Sequence, residues 1–189
     1  MSVLPIVTYN DSVLREKAKP VENSERIQRL IDDMFETMYN AHGVGLAAPQ
    51  IGVSLRLFVV DADVMAEDDK DAVLYGPMVF INPVLHAVES NEVEMEEGCL
   101  SIPDLREKII RPDKIRVTFL DKDFKNKEMK FSDWMARVVQ HEFDHINGVL
   151  FIDYVGSFRK RLMRTKLDMI ESGTINTEYP LATKTNRDK

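Results

Sequence analysis

The sequence predicts an α+β fold, with mainly antiparallel sheets packed around one central helix and a further helix toward each end of the chain. Three stretches carry apolar residues at helical spacing: one after Ser24, one after Ser132 and one after Gly156. Around them lie short runs rich in β-branched and aromatic residues, several with two-residue alternation. Strands grouped together with few helices between them favour antiparallel pairing over a parallel sheet with a crossover helix at every step. At 189 residues the chain can bury one proper core and is short for two. A single domain is expected over 1–172, then an extended or disordered tail over 173–189, where the composition turns polar around Pro180.

Residues 1–22 are punctuated by Pro5 and Pro20 and read as extended or irregular. Asn23 or Ser24 then caps a helix whose apolar stripe is Ile27, Leu30, Ile31, Met34, Phe35 and Met38, with Gly43 just past its end. The stretch GVGLAAPQIG at 43–52 is too rich in glycine and proline for a helix or central strand. It is either a loop lining a substrate cleft, with Gln50 as a hydrogen-bond donor, or a tight structural turn. Residues 55–61 form a strand, and 62–76, with an acidic run at 67–71, read as a solvated loop lacking the glycine and spacing of a calcium site. Strands are expected at 78–82 and 85–90, broken by Pro83, and at 93–96. Another spans 114–120, with Ile115, Val117 and Phe119 inward, and turns back into a partner at 127–131.

Ser132 is the expected N-cap of the central helix, and Asp133 in its first turn suits the helix dipole. Trp134, Met135, Val138 and Val139 follow with helical period, and Asn147-Gly148 closes the C-terminus. Residues 149–155 are apolar and read as extended. Gly156 or Ser157 opens the last helix, running to about Ser172, with Phe158, Leu162, Leu167 and Ile170 on one side and many Lys and Arg on the other.

A net charge of −7 argues against general affinity for nucleic acid or anionic membrane. The basic side of the last helix is still a local candidate for contact with an acidic partner. One cysteine, Cys99, excludes an intrachain disulfide and suits a reducing compartment. No basic-then-apolar leader opens the sequence, and no apolar run approaches the roughly 20 residues that span a bilayer. The expected location is the cytoplasm.

The central helix contains His141-Glu142-Phe143-Asp144-His145. Positions i and i+4 share a helix face, so two imidazoles at this spacing grip one ion without backbone strain. Glu142, beside the first of them, can point at a water in that site. This is the H-E-x-x-H arrangement, in which the acid shuttles protons and does not ligate. A catalytic site of this kind needs a third protein ligand and an open position. Phe151 stands where a metzincin would place its last histidine, so that subclass is excluded. Cys99, His42, His86 and Glu171 remain as third ligands. Cys99 sits in a small-residue turn, Glu97-Gly98-Cys99-Leu100-Ser101, where Gly98 permits a bend that exposes the sulfur.

GVGLAAPQ at 43–50, EGCLS at 97–101 and HEFDH at 141–145 together resemble the three signature motifs of peptide deformylases, in order and without a mismatch. The chain from about residue 4 to 172 resembles the bacterial enzymes with a C-terminal helix. The resemblance implies that Cys99, His141 and His145 bind the metal, ferrous iron in the cell and zinc, nickel or cobalt in preparations. It implies removal of the formyl group from the N-formylmethionine of nascent chains, releasing formate. By the same resemblance Glu142 moves the proton, while Gln50 and the Leu100 backbone N–H stabilise the oxyanion. The backbone of Val44, Gly45 and Leu46, and that around Glu97 to Leu100, would receive the peptide as an added strand. An apolar methionine pocket should include Trp134 and Val138. Asp144, in the middle of the metal helix, needs a cation, and Arg111 or Arg106 is expected to supply it. Arg106 is otherwise a substrate contact. An enzyme of nascent chains has reason to meet the ribosome through the basic last helix. The competing readings are a general H-E-x-x-H metallopeptidase and a non-catalytic metal- or peptide-binding domain. Intact Glu142 and Gln50 speak against the second.

Overall fold

The computed structural model describes residues 1–66 and 73–183. In chain order its elements are β1 (Ile6–Val7), α1 (Glu25–Asn40), β2 (Gly45–Ala47), β3 (Leu57–Val60), β4 (Met78–His86), β5 (Glu92–Cys99), β6 (Ile102–Pro112), β7 (Lys114–Leu120), β8 (Asn126–Ser132), α2 (Asp133–His145), α3 (Ser157–Glu171) and β9 (Leu181–Ala182). Strands β2, β3, β4, β7 and β8 form one antiparallel sheet in that order, and β5 and β6 form a long hairpin. The short strands β1 and β9 pair in parallel. The architecture is the α+β class that the sequence predicts.

The five-stranded sheet lies between two helices. Along β3, Leu57 and Val59 join the cluster under α1, while Phe58 and Val60 join the cluster under α2. This period-two alternation buries the strand on both faces. Helix α1 begins at Ser24, whose hydroxyl accepts from the Ile27 N–H, and it buries Ile27, Ile31, Met34 and Met38. Its left-handed terminal residue is His42 (φ +52°), one before the glycine expected there. Helix α2 sets Met135, Ala136, Val138 and Val139 against Phe58, Phe80, Phe119 and Phe131. The Phe80 ring centroid is 4.8 Å from that of Phe58 and 4.4 Å from that of Phe119. Burying each such ring stabilises the fold by roughly 1.5–3 kcal/mol.

Several local expectations are corrected. The two strands expected around Pro83 are the single strand β4, with a bulge between Ile81 and Val84. Asn82 takes φ +50° there, and its side chain bonds the Val21 N–H and carbonyl, so Pro83 sits where no ladder N–H is required. Residues 151–154, read as extended, form a helical turn because Asp153 accepts from the Leu150 N–H at 2.9 Å. Helix α3 buries Met163 and Ile170, whereas Phe158 and Leu162 are 74% and 71% exposed. The 163–167–170 spacing faces the body, and Phe158 and Leu162 lie round the helix from it. Ser132 holds the N-cap position of α2 but makes no capping bond. The acidic run expected at 67–71 and the last part of the tail, 184–189, lie outside the described residues. Before that end, the tail turns back so that β9 meets β1.

The end of α2 is closed by Gly148 at φ +78°, against the Arg15 backbone. A Cβ at that position would fall 2.7 Å from the Arg15 carbonyl oxygen. Gly148→Ala is therefore expected to destabilise the fold by about 1–3 kcal/mol, read as a lower urea midpoint with unchanged slope. An unchanged midpoint would show that the close approach carries no constraint.

Candidate metal centre and active site

Helical spacing puts the His141 and His145 rings on one face of α2, their centroids 5.0 Å apart. The hairpin meets that face at the end of β5, where its ladder slips between Gly98 and Cys99. Cys99 Sγ there lies 3.3 Å from His145 Nε2. One donor atom from each of Cys99, His141 and His145 falls within 4.8 Å of the others. A thiolate and two imidazole nitrogens fit a divalent transition metal with one position left open. Burial, with His141 alongside, holds His145 well below the ordinary imidazole range, in the neutral form that ligates. The other candidate third ligands are engaged elsewhere. His42 stands 3.9 Å from Glu178, His86 is 3.0 Å from the Thr118 hydroxyl, and Glu171 accepts from the Tyr9 hydroxyl.

Glu97 organises the polar side of the site. Its Oε2 lies 2.9 Å from His141 Nδ1 and accepts from Arg111 at 3.0 Å; its Oε1 accepts from Arg111 at 2.7 Å and from Arg137 at 2.8 Å. Burial alone would raise this carboxyl, but the hydrogen bond from His141 and the pairing with Arg111 outweigh it and hold the group well below the usual carboxylate range. An ionised acceptor fixes the Nδ1–H tautomer of His141 and leaves its Nε2 free for an ion. Arg111 also donates to Asp144 at 2.7 Å, the ion pair expected for that residue. Arg106 is exposed, 3.7 Å from Glu96.

Glu142 is buried beside the trio, and its Oε2 has no hydrogen-bond partner among the described residues. Burial pushes its carboxyl up to about 7. Gly45 makes room for it, since a Cβ there would lie 2.5 Å from Glu142 Oε1. Gln50 is held by its oxygen, which accepts the Ala47 N–H at 2.8 Å, so its NH2 group faces Cys99 Sγ and the Ser101 hydroxyl, both at 3.5 Å. A cleft of about 710 Å³ opens over these groups. Val44, Gly45 and Gln50 line one side, Glu97, Leu100 and Arg106 another, and Trp134 and Val138 a third. The Leu46 side chain is fully buried in the α1 cluster, because alternation along β2 turns it away from the face that Gly45 presents, so it is the backbone of Leu46 that is left at this edge.

Sequence reasoning missed three contributors. Arg137, one turn before His141, is buried and donates to Glu97 and to the carbonyls of Ile109 and Val93. An arginine on the buried face of a helix signals a missing acid, so it was findable. The sequence pattern gives Glu97 a backbone role alone, whereas its side chain is the acceptor that orients His141. Residues 176–179 of the tail also line the cleft, with no signal in their composition.

The profile of the family described as Polypeptide deformylase matches residues 3–161. The chain belongs to the peptide deformylase family. It is 49% identical over 186 residues to the peptide deformylase of Salinibacter ruber, covering 96% of this chain and 95% of that one. It is 48% identical over 181 residues to that of Chlorobium phaeobacteroides, covering 95% of each. Among solved structures, the peptide deformylase of Ehrlichia chaffeensis superposes with a TM-score of 0.84 at 38% identity, covering 92% of this chain and 99% of that one. That of Legionella pneumophila gives 0.79 at 43% identity, with 92% and 98% covered. The chain is accordingly a metal-dependent hydrolase with deformylase activity, and the general H-E-x-x-H peptidase reading falls away. The family acts on the N-formylmethionine of nascent peptides. No helix of the described residues is long and apolar enough to cross a membrane.

Arg111 is only 6% exposed and faces two carboxylates. Arg111→Leu should cost roughly 3–5 kcal/mol, because it leaves Glu97 and Asp144 short of a cation in the interior. Urea unfolding and metal analysis of the variant check this; undiminished stability and metal content would remove the pair from the account.

Proposed function

We propose that Cys99, His141 and His145 hold the catalytic ion, that Glu142 moves the proton, and that Gln50 and the Leu100 N–H receive the formyl oxygen. The observation that carries this reading is the convergence of one thiol and two imidazoles beside a buried carboxylate whose Oε2 has no hydrogen-bond partner among the described residues. An ion held there supplies Lewis acidity toward oxygen. Glu142 takes a proton from the water that attacks the formyl carbon. It returns that proton to the amine nitrogen as the C–N bond breaks, leaving formate and a free amino terminus. The Gln50 amide, anchored through its oxygen, is already turned to donate where negative charge develops.

The edges of β2 and β5 both border the cleft, and each is an outer strand. A peptide laid between them pairs through main chain, which suits an enzyme that must accept many sequences after the first residue. Val44, Gly45 and the 97–100 backbone offer those bonds. Trp134 and Val138 line the methionine pocket, and Arg106 on the rim contacts the substrate backbone. Thiolate with imidazole suits ferrous iron as the working ion, with zinc, nickel or cobalt acquired in preparations. Helix α3 carries Arg159, Lys160, Arg161 and Arg164 beside the exposed Phe158 and Leu162, a face suited to the ribosome. The cytoplasm is the compartment for that work.

A formyl-Met peptide should yield formate, and an unformylated peptide should survive uncut. Glu142→Gln is expected to keep its metal, measured by elemental analysis of anaerobically purified protein, while kcat falls about 10²–10⁴-fold; a variant that stays active would refute the assigned role. Cys99→Ser should lose or retune the ion, since a hydroxyl is a poor substitute for thiolate. Gly45→Ala should crowd Glu142 and lower kcat with metal content intact, and full turnover would show that the contact does not constrain the carboxylate.

A further inference from the structure

The turn that carries Cys99 is braced from both ends of the described chain. Between β5 and β6 the ladder pairs Cys99 directly with Ile102, so Leu100 and Ser101 lie outside it. Two bonds from elsewhere fix their carbonyls. The Tyr179 hydroxyl donates to the Leu100 carbonyl at 2.8 Å, and the Tyr9 N–H donates to the Ser101 carbonyl at 3.0 Å. The two braces are tied together. Ile6 pairs with Leu181 and Val7 with Ala182, and the Ile6 N–H donates to the Pro180 carbonyl at 2.9 Å. Residues 176–179 also wall the cleft, although the family profile ends at residue 161.

We propose that Tyr179 is a positioning residue for the deformylase reaction: through the Leu100 carbonyl it sets the Cys99–Leu100 turn, and so the aim of the Leu100 N–H and of the Cys99 sulfur. The inference rests on the reading of Cys99 as a ligand and of Leu100 as a donor. Tyr179 is half-buried at the cleft wall, and burial pushes its hydroxyl well above the ordinary phenol range, which keeps it a donor at working pH. The Leu100 amide matters most when charge develops on the formyl oxygen, so the effect should fall on kcat and leave KM alone.

The test uses the full chain loaded with cobalt(II), whose thiolate charge-transfer band reports the Cys99 bond. Tyr179→Phe is expected to lower kcat on a formyl-Met peptide about 3- to 10-fold, as for one neutral hydrogen bond, with KM within about twofold and a shifted band. Tyr179→4-aminophenylalanine, which restores an N–H donor, should recover both. Tyr39→Phe, which removes a hydroxyl bond to Asp61 of 2.7 Å outside the cleft, should move neither. The inference is overturned if Tyr179→Phe leaves kcat and the band unchanged, or if its losses are not recovered by the aminophenylalanine. Cys99→Ser separates the two levels: a band that survives it defeats the ligand reading itself. A band that vanishes there and ignores Tyr179→Phe defeats only the role of Tyr179.

Discussion

One buried carboxylate joins the two pieces of chain that carry the site. Glu97 lies on the hairpin, two residues before Cys99, and it meets Arg137 and His141 of α2 and Arg111 of β6. Glu97 and Asp144 supply two negative charges, and Arg111 and Arg137 supply two positive ones, so this network is balanced. Separating hairpin from helix would strip Asp144 and Arg137 of their ion-pair partners and leave Glu97 with Arg111 alone, at a cost of several kcal/mol. The distance from thiol to imidazoles is therefore set by an electrostatic joint lying behind it.

Around that joint, apolar packing supplies stiffness. The phenylalanine cluster under α2 fixes the helix on the sheet, and the α1 cluster fixes the sheet from the other side. The groups proposed to react then sit on three rigid supports: Glu142 on the helix, the thiol at the end of a strand, and Gln50 on a helical turn pinned by its own amide oxygen. Sites built on such supports lose little free energy to reorganisation when charge develops.

Much of this was legible in the sequence because periodicity reports burial. The stripe of α1, the inward Ile115, Val117 and Phe119 of β7, and the helical spacing of α2 each repeat an apolar face with the period of the element that forms. The longest of the described strands, β6, is hidden in the sequence for the converse reason. Arg106, Glu107, Lys108 and Arg111 interrupt its apolar pattern, and Arg111 faces inward only because Glu97 and Asp144 meet it there. Pairing across a hairpin decides such a strand, and local composition does not show it. The last helix failed similarly: nothing in the spacing of Phe158 and Leu162 says which side the body lies on. The trio of donors was visible as motifs, whereas Arg137 and the tail residues act through contacts distant in sequence.

The parallel pairing of β1 with β9 has a consequence for how the chain matures. Ile6 and Val7 come before the other strands and helices of the described residues, and Leu181 and Ala182 come after α2 and α3. A contact so distant along the chain closes slowly and late, since the loop entropy must be met before the bonds form. On a ribosome β1 would wait, unmatched, while the rest of the fold condensed above it. An enzyme that trims the beginnings of other proteins thus has β1 secured only once β9 has been made.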